Sequence, residues 1–164
     1  MNKIFPKADD SANEKKVNEK RVAKLFAKVC PLKIKIDSIE NRDPPEPDIL
    51  CERENGQKVA LELVEVIDEG LAKSVYTSSG KGGSYGHPII KQICKKLSKS
   101  KNYDTKARME LLVYYDLQPQ MPTNVLKPTL EEHSMMLKKK LRKSDFKKIW
   151  IFNDRTSEIL YQIT

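Results

Sequence analysis

Apolar and polar positions in the first part of the chain follow a helical period and then a strand period. Residues 12–29 carry an apolar stripe at helical spacing, which predicts a helix that Pro31 ends. Residues 11–14 have the spacing of a capping box at its start. Residues 32–37 then alternate between apolar and charged side chains, which predicts a half-buried strand.

Two further strands are predicted to pair through a turn. The proline-rich residues 41–47 are expected to form a rigid loop, which leads into a short strand over residues 48–53. A polar turn at residues 54–57 joins this strand to a longer one over residues 58–67. The longer strand is apolar on both faces, which is typical of a central strand that helices cover.

The second half of the chain alternates between helices and strands. Two loops are predicted, a Gly-rich mobile one at residues 77–86 without P-loop spacing and a proline-rich one at residues 118–128. The predicted elements are a helix over residues 87–101, a strand over 109–115, a helix over 129–142, and strands over 149–152 and 159–163. This order predicts an α/β fold with helices on the faces of a central sheet.

Composition adds a strong positive charge to this picture. Lys and Arg number 31 against 23 Asp and Glu, so the net charge is +8 and the isoelectric point is near 9.3. Such a surplus favours polyanionic partners, nucleic acid above all, although it also fits a lysine-rich surface that only keeps the protein soluble. The length of 164 residues predicts a flexible tail at residues 1–10 and a single domain over residues 11–164.

The cysteines and the hydropathy profile indicate a compartment. Cys30, Cys51 and Cys94 are odd in number, far apart and set in apolar context, so reduced, buried thiols in the cytoplasm are predicted. The first residues lack an apolar stretch long enough for a signal peptide. No segment approaches the roughly 20 apolar residues of a membrane span, so no membrane association is expected.

Two acids interrupt the apolar strands. Asp48 follows Pro47 at the start of one strand, and Glu62 lies inside the next. Acids in such positions cost folding free energy unless they are paired, hydrogen-bonded or bound to a metal. Pairing of the two strands would bring both carboxylates close together. The alternatives are a turn residue at Asp48 and a solvent-facing strand position at Glu62.

Carboxylates placed in this way are suited to a hard divalent cation. Phosphodiester hydrolysis uses such a cation to polarise the phosphoryl oxygen and to lower the pKa of an attacking water. Mg²⁺ or Mn²⁺ would take Asp48, Glu62 and the backbone carbonyl of Leu63 as ligands and keep several waters. A nearby Lys would orient the water or stabilise the charge that develops on the phosphate.

At these residues the chain resembles the PD-(D/E)XK, or restriction-endonuclease-like, nuclease superfamily. The matching residues are Pro47-Asp48 and Glu62-Leu63-Val64, and the order of elements over residues 12–116 is similar to the superfamily core. The resemblance implies a restriction-endonuclease-like mixed sheet flanked by helices. It also implies a magnesium-dependent DNA nuclease in which Asp48 and Glu62 bind the metal. Some members add a Glu from the first helix, and Glu19 is the weak candidate for that role.

The chain departs from the superfamily pattern at Val64, where a Lys is usual. Some members carry this Lys on the following helix, and Lys96 borders the apolar face of the helix predicted here. Gln92 lies one turn earlier, so the helix is similar to the QxxxY motif of some members, with Lys in place of Tyr. Lys96 is therefore the first candidate and Lys95 the second. Glu65 is another candidate; it is expected on the opposite strand face from Glu62 and would reach the site only through a bulge.

Basic residues outside this site are candidates for phosphate contacts. Lys81 lies in the Gly-rich loop, and a second group lies near the end of the helix over residues 129–142: Lys138, Lys139, Lys140, Arg142 and Lys143. The alternative for this group is a solvated helix end. The tyrosines and Trp150 are expected to pack the core rather than to stack on bases.

Three functions follow from the sequence. The first is a metal-dependent nuclease that acts on DNA, with RNA as the alternative substrate, and a homodimer is compatible with cutting both strands. The second is a catalytically inactive nuclease-fold protein that binds nucleic acid, which fits the missing Lys at Val64. The third is a module that binds a protein partner.

Overall fold

The computed structural model describes residues 8–66, 88–115 and 123–164, with side chains over 11–66, 89–115 and 126–164. Its helices are α1 (Ala8–Val29), α2 (Pro88–Ser98), α3 (Thr123–Glu132) and α4 (Ser134–Lys143). Its strands are β1 (Glu40–Asn41), β2 (Ile49–Glu52), β3 (Lys58–Val66), β4 (Arg108–Tyr115), β5 (Phe146–Asn153) and β6 (Glu158–Ile163). Within these ranges, no helix is long and apolar enough to cross a membrane.

The strands form one mixed sheet in the order β1-β2-β3-β4-β5-β6. The central strands β3, β4 and β5 run parallel, and the remaining neighbours pair antiparallel. Parallel neighbours need a crossover, and α2 and the α3–α4 pair lie in the two crossovers of this sheet. The predicted α/β fold with helices flanking a mixed central sheet is confirmed.

Helix α1 covers one face of the sheet. Its residues Val22 and Phe26 are fully buried, as the apolar stripe predicts. The Phe26 ring meets Trp150 edge-on at 5.3 Å and Phe152 at 5.6 Å between centroids, a favourable aromatic geometry. This packing fixes α1 on the sheet, and the Asn41 amide of β1 donates to the Lys16 carbonyl of α1 at 3.0 Å.

Helix α2 covers the other face together with α3 and α4. Ile89, Ile93 and Leu97 recur at helical spacing and join the same buried cluster as Val64 of β3. The predicted apolar stripe of this helix is thereby confirmed. The residues on the border of the stripe are held against the edge of the sheet, and Lys96 is one of them.

The strand predicted over residues 32–37 is wrong. Ile34 forms an isolated bridge to Arg53, and Ile36–Ser38 is a 3-10 helix. The Ser38 hydroxyl donates to the Lys35 carbonyl at 2.6 Å, and the Ser38 N–H donates to the same oxygen at 3.0 Å. Such local bonds offer the backbone an alternative to a ladder. The edge strand is β1, a few residues further on.

The helix predicted over residues 129–142 is two helices, which break at His133. Residues 123–128, predicted to be loop, belong to α3, and Pro128 lies inside that helix. A proline there removes one helical hydrogen bond. Burial of Leu126 and Leu130, one turn apart, favours the helix over the loop.

Some predicted boundaries differ or cannot be compared. Helix α1 begins at Ala8 rather than at residue 12, so it takes in the last residues of the expected tail. The start of the tail, the Gly-rich loop at residues 77–86 and most of the proline-rich loop at residues 118–128 lie outside the described residues. Cys30 and Cys51 are buried and free, as predicted, whereas free Cys94 is half-buried.

Candidate active site

The site lies at the start of β2, where the ladder between β2 and β3 ends. The last pair between these strands is Ile49 with Leu61, whereas β3 runs on to Val66. Asp48 precedes Ile49 and therefore sits beside Glu62, at the point where one edge of β3 loses its ladder partner. Among the described residues, no strand pairs with this edge of β3 beyond Leu61, so the edge lies open next to two acids.

Asp48 and Glu62 are locked together through the backbone. The Asp48 N–H donates to Glu62 Oε2 at 3.3 Å, and the Leu63 N–H donates to Asp48 Oδ2 at 2.9 Å. Each carboxylate thus accepts from the backbone of the other strand. The structure brings together the two acids that the sequence singled out.

Glu62 is buried, with 4% of its surface exposed. Two side chains donate to its Oε1 atom: the Lys96 ammonium and the Tyr103 hydroxyl, the latter at 2.8 Å. The other oxygen, Oε2, faces the Asp48 backbone. The two oxygens of one carboxylate therefore have different partners.

Lys96 reaches the site from α2, and its neighbours on that helix do not. Its ammonium lies 3.5 Å from the Tyr103 hydroxyl as well as on Glu62. Gln92 lies one turn earlier and lines the groove beside the site. Lys95 is exposed on the wall of the same groove and has no ion pair or hydrogen bond to either acid among the described contacts. The helix thus offers Lys96, rather than Lys95, to Glu62.

Glu19 of α1 contributes a third acid near the site. It is buried, with 4% of its surface exposed, and its partner is Lys15 at 3.3 Å. Burial raises the pKa of Glu19, and the charge of Glu62 adds to the rise. Glu19 therefore lies within electrostatic reach of Glu62, on the α1 side of the strand edge.

The electrostatics of the site reflect crowded, buried carboxylates. Burial, followed by the charge of Glu62, raises the pKa of Asp48 to about 7, although the Leu63 N–H opposes the rise. Burial and the same Glu62 charge raise the pKa of Tyr103, so this hydroxyl keeps its proton and acts as a donor. Negative charge at Asp48 thus costs free energy that a bound cation would offset.

The residues at the strand edge fit a hard cation in an open site. Within the described part of the chain, no group of three or more His, Cys, Asp or Glu side chains is arranged to hold a metal. Asp48, Glu62 and a backbone carbonyl form a smaller set, which suits Mg²⁺ because that ion usually keeps several waters. The N–H and C=O of one strand residue point to the same edge, so the Leu63 carbonyl faces the edge where its N–H meets Asp48.

A groove of about 360 Å³ runs past the site. It is lined by Leu63, Val64 and Glu65 of β3, by Tyr114, by Lys99 just after α2, and by side chains of α1 and α2: Lys15, Glu19, Gln92, Lys95 and Lys96. Glu65 is exposed, and its charge acts on Tyr114, which packs on the α1 face. Glu62 instead meets α2, so the two acids lie on opposite faces, as predicted.

The predicted nucleic-acid-binding residues of α4 do not line this groove. Lys138, Lys139, Lys140, Arg142 and Lys143 are all exposed on α4. Lys140 and Lys143 line a separate cleft of about 290 Å³ between α2 and α4, together with Lys101. Lys81 lies outside the described residues.

Sequence reasoning missed the role of Tyr103. Its ring packs edge-on against Phe146 at 5.9 Å, as expected of a core residue, but its hydroxyl reaches Glu62. The two residues are 41 positions apart, and no local spacing connects them. Lys15 was missed as well, because its place in the groove depends on how α1 docks.

No protein-family model matches the chain, and a search of curated proteins finds no significant match. The chain is thus described by its fold and its site alone: an α/β protein with paired carboxylates and a lysine at an open strand edge.

Proposed function

We propose that this protein is a metal-dependent nuclease of the restriction-endonuclease-like type, which hydrolyses phosphodiester bonds in DNA with Mg²⁺ or Mn²⁺. One observation carries the proposal. Asp48 and Glu62 meet at the open edge of β3, each held by the backbone of the other strand, and Lys96 lies on Glu62. Paired carboxylates with an adjacent lysine are the groups that this reaction needs.

Each residue has a role in the proposed reaction. Asp48, Glu62 Oε2 and the Leu63 carbonyl would hold the cation, which when bound polarises a phosphoryl oxygen and acidifies a water. Lys96 holds Glu62 and supplies a positive charge near the phosphate. Tyr103 fixes Glu62 Oε1 and leaves Oε2 directed towards Asp48. Glu19 lines the same groove and acts on the site through its charge, and it stays the weak candidate for a further cation ligand.

A second candidate is a nuclease-fold protein that binds nucleic acid or a protein partner without cutting. Two observations favour it. Val64 occupies the position of the usual lysine, and the Lys96 ammonium is engaged by Glu62. An ion pair of this kind neutralises a buried acid without any metal. Cleavage separates this candidate from the first.

The test is cleavage of plasmid and single-stranded DNA in Mg²⁺ or Mn²⁺, with an RNA substrate in parallel. The wild type should cut, whereas Asp48→Ala and Glu62→Ala should lose activity because each removes a cation ligand. Glu54→Ala is the matched control, since Glu54 is an exposed acid in the turn between the same two strands and does not line the groove. Normal cutting by Glu62→Ala would show that the site assignment is wrong.

The proposal extends to the cellular compartment and the oligomeric state of the protein. Cys30, Cys51 and Cys94 are free, which fits a reducing cytoplasm. Cutting both strands of a duplex requires two sites, so we propose a homodimer for that reaction. Nicking without linearisation of a plasmid, together with a monomeric mass in solution, would instead support single-strand cuts.

A further inference from the structure

The groove past the site has lysines on both walls and the edge of β3 along its floor. Lys15 projects from α1, and Lys95, Lys96 and Lys99 project from the region around the end of α2. The floor holds Leu63 and Val64, next to the acid pair. A ligand that follows the strand edge would therefore pass between cations on its way to Asp48 and Glu62.

The lysines of this groove differ in their partners. Lys15 pairs with Glu19, and Lys96 pairs with Glu62. Lys95 and Lys99 are exposed, and among the described residues neither forms an ion pair. Lys95 lies in the last turn of α2, and Lys99 directly follows the helix. The ammonium groups of Lys95 and Lys99 are therefore available to bind a ligand.

Gln92 lines the same groove beside Lys95 and Lys96. Its Oε1 atom is buried and has no hydrogen-bond partner in the described part of the chain. Because this oxygen is closed to solvent, the wall presents lysine cations rather than the amide acceptor to a ligand.

We propose that Lys95 and Lys99 form a phosphate-binding wall, which holds one sugar–phosphate strand along the open edge of β3 beside the acid pair. The occupant is a single strand of DNA. A groove of about 360 Å³ with exposed lysines matches one polyanionic strand in charge. The inference rests on the proposed function, since it takes nucleic acid as the substrate. It assigns Lys95 to binding rather than to chemistry.

The test is the salt dependence of binding to a fluorescein-labelled single-stranded DNA oligonucleotide, measured by anisotropy in EDTA. The variant is Lys95→Ala with Lys99→Ala. The control is Lys24→Ala with Lys91→Ala, which removes the same net charge from exposed positions that do not line the groove. EDTA separates binding from cleavage.

The groove variant should bind about tenfold more weakly than the wild type at low salt. Its slope of log affinity against log salt should become shallower by about 1.4, because each phosphate contact on a single strand contributes about 0.7. The control variant should keep a slope close to that of the wild type. Any one of three results would overturn the proposal. The slope could be equal for the wild type and the groove variant, the groove and control variants could lose affinity equally, or the wild type could fail to bind the oligonucleotide.

Mn²⁺ titration and cleavage assays on the same variants distinguish failure of the phosphate-binding wall from failure of the proposed nuclease function. Wild-type cleavage that persists in the groove variant, with unchanged oligonucleotide binding, would overturn the wall and leave the nuclease standing. A binding loss confined to the groove variant, with no cleavage by any form, would overturn the nuclease and leave the wall standing. Unchanged Mn²⁺ affinity in the groove variant would show that the acid pair is intact.

Discussion

At the scale of single residues, the geometry of the site depends on the different partners of the two Glu62 carboxylate oxygens. Glu62 Oε1 accepts from Lys96 and Tyr103, while Oε2 faces Asp48. A buried carboxylate held in this way keeps one orientation, which lowers the entropy that a cation would otherwise have to remove on binding. Tyr103 therefore positions a ligand atom and need not touch the substrate.

Replacement of Tyr103 by Phe tests this role. The change removes one donor to Glu62 and keeps the ring that packs on Phe146. Mn²⁺ affinity, measured by isothermal titration, should fall about tenfold to hundredfold, as is usual when an outer partner of a ligand is lost. Tyr161→Phe, at a half-buried position on β6, should leave it unchanged. Unchanged affinity in Tyr103→Phe would argue for a purely structural tyrosine.

The raised pKa of Asp48 predicts how stability depends on pH without metal. The pKa rises from an ordinary value of 3.8 to about 7, so the folded state holds this proton more tightly than the unfolded state. The stabilisation is present in full below the lower value and is lost as pH rises through about 7.

Asp48→Asn isolates this contribution. Its side-chain oxygen can still accept from the Leu63 N–H, but the charge is gone. In urea denaturation with EDTA, wild-type stability should fall between about pH 4 and about pH 7, and the variant should lose less over the same interval. Parallel pH profiles for the two proteins would mean that Asp48 titrates normally in the folded state.

At the scale of elements, α2 determines which lysine serves the site. Its buried residues Ile93 and Leu97 fix the rotation of the helix against β3. That rotation turns Lys96 inward to Glu62 and leaves Lys95 on the groove wall. Neighbouring lysines of the same helix therefore have different tasks.

Lys96→Gln and Lys95→Gln should separate these tasks. Loss of a charge that stabilises the transition state costs about a hundredfold to a thousandfold in rate, so Lys96→Gln should cut that much more slowly at saturating DNA. Lys95→Gln should cut at nearly the wild-type rate under the same conditions and need more DNA to saturate. Equal rate losses in both variants would contradict the assignment of Lys96.

The elements also show how far the sequence could be used for prediction. The α2 stripe was predictable because burial imposes a helical period on it, and β2 and β3 were predictable as apolar runs joined by a polar turn. A strand-like alternation misled over residues 32–37, where Ser38 bonds to the local backbone instead. Pro128 suggested a loop, but burial of the leucines around it outweighed one lost hydrogen bond.

The candidate site was also only partly predictable from the sequence. Asp48 and Glu62 were predictable because acids in apolar strands need a partner, and one turn joins their strands. Lys96 was predictable from its place on the border of the α2 stripe. Tyr103 and the groove formed by α1 and α2 were not, since these contacts depend on long-range packing that leaves no local pattern.

At the scale of the whole molecule, the sheet and its helices place the site at one edge. Helices cover both faces of the sheet, so its interior is closed to ligands. The difference in length between β2 and β3 leaves a stretch of strand edge between α1 and α2, beside the buried acids. A bound cation there would stabilise the fold by mass action, because the unfolded chain lacks the arrangement.

The most direct test of this account is Mn²⁺ titration of the purified protein by calorimetry, with Glu62→Gln and Glu65→Gln alongside. It depends on the acid pair and not on the choice of substrate. Wild type and Glu65→Gln should bind the cation with equal affinity, and Glu62→Gln at least about tenfold more weakly, because it loses a charged ligand. Absence of binding to the wild type, or equal binding by Glu62→Gln, would contradict a cation site at Asp48 and Glu62.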